Sequence, residues 1–270
     1  MLFLNCCRDD NLEGVNECLG RGVNVNTKDN WGTGLMVACY RGNSAIVSRL
    51  VQVPGLDINY QDKKRGFTAA HWASLWGRTE CVRILAETGR VDWNKRGEEG
   101  QTPLYEALGG GHSDIVEIIV QQPNIDYNVK TTLGESLGHA AAKGGNVENV
   151  KFLAAEERFH CWNLPDVDGD SPIMMALKEG MTKIVEILLR CSRVDLNGRD
   201  KEGWSLIFRA IQRNKLGRKC RNVSYNIESP VCRFREDDSV RVREVLPWLQ
   251  PGPHCCGGGG GGGYQTPGSV

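Results

Sequence analysis

Six glycines divide most of the chain into nearly equal blocks. Gly32, Gly66, Gly100, Gly134, Gly169 and Gly203 lie 34, 34, 34, 35 and 34 residues apart. Two positions after five of them stands a hydroxyl residue: Thr68, Thr102, Ser136, Ser171 and Ser205. An alanine follows seven after the anchor, at Ala73, Ala107, Ala141, Ala176 and Ala210. Eleven after come Gly77, Gly111, Gly145 and Gly180, with Asn214 in the last block. In the first block Thr33 and Gly42 come one position early, so that block has lost a residue or slipped by one. A block this short cannot hide an apolar face by itself. The period therefore dictates a linear array in which each block covers the next.

Within a block the residue types fit two short helices and an extended loop. The Thr or Ser can accept from unpaired backbone N–H groups at the start of the first helix. Pro103 and Pro172 follow at the first helical position, where no N–H is required. The alanines allow close approach of neighbouring helices, and the next glycine ends the helix through a left-handed turn. A second helix then presents paired apolar residues: Cys81-Val82 with Ile84-Leu85, Ile115-Val116 with Ile118-Ile119, Val150 with Phe152-Leu153, Ile184-Val185 with Ile187-Leu188. Blocks close on "GLDIN", "RVDWN", "NIDYN", "FHCWN" and "RVDLN". The N-x-x-D-x-x-G runs at Asn26–Gly32, Asn163–Gly169 and Asn197–Gly203 fit tight hairpins whose Asn and Asp bond their own backbone.

These blocks resemble ankyrin repeats, whose pattern runs D-x-x-G-x-T-P-L-H-x-A, a glycine, I-V-x-L-L and a D-x-N close. "GQTPLYEALGGGHSDIVEIIV" (Gly100–Val120) is the fullest copy; "GFTAAHWASLWGRTECVRIL" keeps the family's histidine as His71, and "GDSPIMMALKEGMTKIVEILL" keeps its proline as Pro172. The resemblance covers about residues 1–216. It implies an all-α solenoid of stacked helix-turn-helix units with β-hairpin loops. About seven units are expected, both terminal ones incomplete: the first with only its second helix (Val15, Cys18, Leu19), the last truncated after Gly203. It also implies that His71 and His139 bond loop backbone. Residues 217–270 fall outside the pattern. A capping helix at 239–250 and disorder from about 251, where "PGPHCC" and seven glycines follow, are the expectations there.

The charge balance, 33 basic against 33 acidic residues, gives no general attraction to nucleic acid or anionic membrane. Apolar residues make up 40%, a globular proportion. There is neither an apolar run of the roughly 20 residues a membrane helix needs nor the apolar stretch of a secretory leader. The expected setting is cytoplasmic or nuclear, with the 11 cysteines mostly serving as small buried hydrophobes.

Several stretches imitate chemical sites. Gly134-Glu135-Ser136-Leu137-Gly138 matches the G-x-S-x-G elbow of serine hydrolases. Ser136, however, fills the slot of Thr68, Thr102, Ser171 and Ser205, which points to a helix cap. "DVDGDS" (Asp166–Ser171) starts like a calcium loop, but Ser171 and Leu177 stand where glycine and glutamate are required. "LGGGHS" lacks the lysine of a phosphate loop. No C-x-x-C occurs, and His254, Cys255 and Cys256 with Cys220 and Cys232 are irregularly spaced for a metal. No catalytic, metal or cofactor residue is therefore assigned, and no cofactor is expected.

The resemblance implies a non-enzymatic protein-interaction module, a monomeric scaffold or adaptor. It would bind through hairpin tips and the concave face of the first helices. A regulatory or substrate-recognition subunit of a larger complex, such as a ubiquitin ligase, and a serine hydrolase are the rivals. Carried over from the family, the slots expected to be exposed are the two before the anchor, the one after it, and the two before the helix-ending glycine. In the first two anchored blocks they hold Trp31, Tyr40, Arg41, Lys64, Arg65, Phe67, Leu75 and Trp76. Aromatics interleaved with bases are common interface anchors, so these eight form the candidate site, suited to an acidic segment. Trp72 falls at an inward slot and is expected in the core.

Overall fold

The computed structural model describes residues 2–206 and 209. Among them twelve α-helices form six antiparallel pairs: α1 (Leu2–Arg8) with α2 (Leu12–Gly20), α3 (Gly34–Arg41) with α4 (Ser44–Val51), α5 (Ala69–Leu75) with α6 (Thr79–Glu87), α7 (Pro103–Gly109) with α8 (Ser113–Val120), α9 (Leu137–Gly144) with α10 (Val147–Ala155), and α11 (Pro172–Glu179) with α12 (Thr182–Arg190). Odd helices pack on odd, as α1 on α3 and α7 on α9; even pack on even, as α4 on α6 and α10 on α12. The result is an inner and an outer layer extended along one axis, as the period requires. We number the units 1 to 7, unit 2 beginning at Gly32.

Unit 1 departs from expectation. It has both helices, because Phe3, Leu4 and Cys7 of α1 supply the buried face that covers α3. The seventh unit is described only through its hairpin, an isolated bridge between Arg199 and Ser205, and the start of its helix at Leu206. The expected tail helix and the tail cysteines lie outside the described residues.

Unit 2 has lost a residue from its hairpin. Lys28 pairs with Thr33 and Asp29 with Gly32 (β1, Lys28–Asp29; β2, Gly32–Thr33), leaving Asn30 and Trp31 alone at the tip. The helix itself keeps register, since Thr33 and Gly42 stand nine apart, as do Thr68 and Gly77. Thr33, Thr68 and Thr102 cap their helices, accepting from the N–H of Met36, His71 and Tyr105 at 3.4, 3.4 and 3.3 Å. Ser171 holds the same position, but its hydroxyl has no partner among the described residues. The helix-ending glycines sit at φ between 66° and 87°, where a Cβ is strained.

The outer helices carry the core at the fourth, fifth and eighth positions after those glycines. The sets are Ile46, Val47, Leu50; Cys81, Val82, Leu85; Ile115, Val116, Ile119; Asn149, Val150, Leu153; and Ile184, Val185, Leu188, all buried. Each Leu, Ile or Val hidden this way contributes roughly 1.5–3 kcal/mol relative to exposure. Asn149 alone breaks the apolar series.

Units are also joined by polar bonds. Between hairpins, Glu98, Thr132, Val167 and Lys201 donate backbone N–H to the carbonyls of Arg65, Glu99, Leu133 and Asp168. On the opposite edge the closing asparagines form a ladder. The Asn59 carboxamide donates to Arg90 O (2.9 Å) and accepts from Asp92 N (2.8 Å); Asn94 does the same with Asn124 O (2.7 Å) and Asp126 N (2.9 Å). Asn26 and Asn163 repeat the arrangement. These asparagines thus reach the next unit and not, as expected, their own turn. The aspartates do serve the turn, Asp29 accepting from Trp31 N and Asp166 from Asp168 N and Asp170 N.

No such bridge runs from Asn128. Unit 5 holds its extra residue between Gly145 and Asn163, and its closing loop turns through a single 3-10 turn, Cys161–Asn163. There the Phe159 carbonyl accepts from Arg193 instead (3.0 Å).

The ladder gives a direct comparison. Asn94→Ala removes two inter-unit hydrogen bonds and leaves a donor and an acceptor without partners. It should lower stability in urea unfolding by about 1–3 kcal/mol. Asn128→Ala should change it by less than about 0.5 kcal/mol.

Candidate partner-binding surface

The structure divides the eight candidate residues. Trp31, at the unit 2 hairpin tip, is 67% exposed, with the Lys64 ammonium 4.5 Å from its ring centroid. Tyr40 and Trp76, near the ends of adjacent inner helices, are 38% and 48% exposed and meet edge to face at 5.3 Å. The Arg41 guanidinium lies 5.7 Å from the Tyr40 ring. Arg41, Lys64 and Arg65 are exposed, and none has an acidic partner within ion-pair distance among the described residues. Leu75 is half-buried, its carbonyl 3.2 Å from His112 Nε2.

Phe67 does not belong to this surface. It is 1% exposed, stacked on His71 at 4.9 Å. The residue after the anchor turns into the angle between hairpin and inner helix. Glu135 and Asp170, at the same slot, are buried too. Gly97 of the following hairpin makes room for the ring, since a Cβ there would stand 2.7 Å from it. Trp72 moves the other way. Only half-buried, it lies 5.8 Å from Tyr40 and 5.3 Å from Phe67 and donates its indole N–H to Asp62 Oδ2 at 3.0 Å. Arg65 approaches both the Phe67 and Trp72 rings, at 5.5 and 5.9 Å. Trp72 therefore joins Tyr40 and Trp76 in one aromatic cluster resting on a buried phenylalanine. The clue in the sequence was its acidic partner, ten residues back on the hairpin.

One unit further along, the concave face changes sign. Glu106 is half-buried, and burial holds its carboxyl up at about 7 against the opposing pull of Arg65. The Tyr105 hydroxyl donates to Glu135, which also pairs with Lys143 at 3.2 Å. Burial and Glu135 push the Tyr105 phenol up. The basic aromatic patch of units 2 and 3 is thus bounded by carboxylates.

The histidines are structural. Thr68 N–H donates to His71 Nδ1 (3.1 Å), so the ring proton is on Nε2, which donates to Gln101 O of the next unit (3.1 Å). His139 repeats this, accepting from Ser136 N (3.0 Å) and donating to Asp170 O (2.8 Å). Both rings are buried, and burial lowers their pKa, that of His71 to about 4.

Ser136 sits in this cap at 0% exposure, its hydroxyl 3.2 Å from Cys161 O. The second glycine of the apparent elbow has a packing role: a Cβ on Gly138 would stand 2.9 Å from Pro172 Cγ and 3.1 Å from Cys161 O. No substrate can reach this serine. Six of the seven described cysteines are buried and all seven are unpaired. Among the described residues no cluster of three or more His, Cys, Asp or Glu could hold a metal, and no helix is long and apolar enough to cross a membrane.

Comparison with known proteins agrees with this geometry. The family pattern described as ankyrin repeats (3 copies) matches residues 3–97, 35–131, 90–162 and 137–220. The chain belongs to the ankyrin-repeat family. It is similar to the photoreceptor ankyrin repeat protein of Homo sapiens, 41% identical over 88 residues, 31% of this chain and 19% of that protein. It is also similar to BTB/POZ domain-containing protein 1 of Schizosaccharomyces pombe, 34% identical over 27% of this chain and 6% of the relative, and to palmitoyltransferase ZDHHC17 of Danio rerio, 36% identical over 27% and 12%. The chain thus aligns with less than a fifth of each of these relatives' lengths. Ankyrin repeats indicate a protein–protein interaction module.

Two outcomes test the buried part of the site. Phe67→Ala should cost about 3–5 kcal/mol of stability, as removal of a core ring does. Lowering the pH should also destabilise the array. The unfolded state takes up the His71 proton near 6.5 and the folded state only near 4. Stability should be full above about pH 6.5 and fall by roughly 3 kcal/mol as the pH drops to 4. In urea titrations, His71→Gln should make this slope shallower.

Proposed function

We propose that this ankyrin array is a non-enzymatic scaffold or adaptor that holds an acidic segment of a partner protein across units 2 and 3. One observation carries the reading. Trp31, Tyr40 and Trp76 are large exposed aromatics beside Arg41, Lys64 and Arg65, three cations without an acidic partner among the described residues. A carboxylate-bearing segment would supply the missing counter-charges, and the aromatics would supply apolar area that needs little ordering on binding. Units 4 and 5 offer no comparable set of unpaired cations on this face, Lys143 being paired with Glu135, so the acidic stretch ends at unit 3. A monomer in the cytoplasm or nucleus fits the unpaired thiols.

A full-length chain with a photo-crosslinking residue in place of Asn30, exposed at the hairpin tip, should capture a protein through a peptide rich in Asp and Glu. Substituting Trp31, Tyr40 and Trp76 together by alanine should weaken that binding by about 100-fold or more, with the helical circular dichroism retained and a modest fall in melting temperature from the lost ring contacts. Capture that survives the triple substitution, or cross-linked peptides without acids, would contradict the proposal.

A further inference from the structure

Unit 5 departs from the repeat at one joint in three ways. Its outer loop carries the extra residue, the asparagine ladder is interrupted at Asn128, and Asn149 occupies the slot that holds Ile46, Cys81, Ile115 and Ile184 elsewhere. The packing registers this. Helices α8 and α10 meet less closely than α6 and α8 or α10 and α12, and about as closely as α2 and α4 at the end of the array. Between them lie two adjoining cavities of about 320 and 530 Å³. Val116 and Asn149 line the smaller, Val120 and Pro123 the larger, and Glu117 and Phe152 wall both.

Asn149 is the anomaly. It is 1% exposed, and neither Nδ2 nor Oδ1 has a hydrogen-bond partner among the described residues. A buried carboxamide left unpaired costs free energy that an apolar side chain at the same slot would avoid. The charges around it are uneven. Lys151 pairs with Glu148 at 3.0 Å and Arg158 with Glu156 at 2.9 Å, whereas Glu117 has no cationic partner among the described residues.

We propose that the groove between α8 and α10 binds a short extended segment of a second partner protein, with Asn149 as its central anchor. A carboxamide offers one donor and one acceptor side by side, the complement of a peptide group. In an extended strand the N–H and C=O of one residue point the same way, so both atoms of Asn149 engage a single residue of the segment. An apolar side chain of the segment lies against Val116, and a neighbouring lysine or arginine answers Glu117. Phe152 is the side chain the segment displaces to reach the carboxamide. The site belongs to the outer layer and does not depend on the concave surface of units 2 and 3.

Random dodecapeptides displayed on phage, selected on the full-length chain and counter-selected on the Asn149→Ile variant, are the probe. The enriched peptides should carry an apolar residue next to lysine or arginine. Asn149→Ile restores the repeat's apolar slot, so it should raise the melting temperature while weakening the selected synthetic peptides by about tenfold or more. Glu117→Gln should weaken them by less, and backbone N-methylation at one position of the peptide should abolish binding. The proposal is overturned if no peptide is enriched, if both proteins enrich the same sequences, or if Asn149→Ile binds the peptides as well as the native chain. It is also overturned if sedimentation shows a peptide-free dimer that Asn149→Ile dissociates, which would make the occupant a second copy.

Discussion

Everything in this molecule rests on apolar faces that no unit can cover by itself. The Ile115, Val116, Ile119 set on α8 is buried against α7 of its own unit and against α6 and α10 of its neighbours, and the other internal outer helices repeat the situation. Burial between neighbours is therefore the main stabilising term, and it acts only along the stack. The polar bonds add register. The His71 and His139 rings each tie a helix start to the following hairpin, and Asn26, Asn59, Asn94 and Asn163 tie four of the closing loops to the next. Slipping the array by one residue would break all of these bonds between units.

The same arrangement leaves functional surface free. The hairpin tip and the exposed end of each inner helix contribute less to neighbour burial than the outer helices do, so residues there can vary more freely. Units 2 and 3 fill these places with aromatics and bases, and unit 4 with carboxylates and glycines. Gly144 has a stricter reason than surface shape: a Cβ there would stand 2.1 Å from Leu108 O, so α7 and α9 approach through bare backbone.

Unit 5 shows what happens when the period is disturbed. One added residue displaces the closing loop from the ladder, and Arg193 takes over the carbonyl acceptors that an asparagine would otherwise help to organise. A polar residue then stands in the core of the same outer helix. In a globular domain such a change would be shared among many contacts. In a linear array it is confined to the joint between two units.

The period, the caps, the helix-ending glycines and the place of Ser136 were legible in the sequence, because each follows from a local rule repeated at fixed spacing. Repetition also placed Ser136 at a helix start, through the threonines at the same slot, although its hydroxyl turns to Cys161 O. What lay beyond the sequence was the angle at which the hairpin folds onto its helix. That angle buries Phe67, exposes part of Trp72, and turns the asparagines from their own turns to their neighbours. The completeness of unit 1 was hidden as well, since α1 has no anchor glycine ahead of it. Side-chain direction at a bend depends on contacts about 30 residues away, between Phe67 and Gly97 for example. Spacing along the chain cannot encode it, and only the assembled stack decides it.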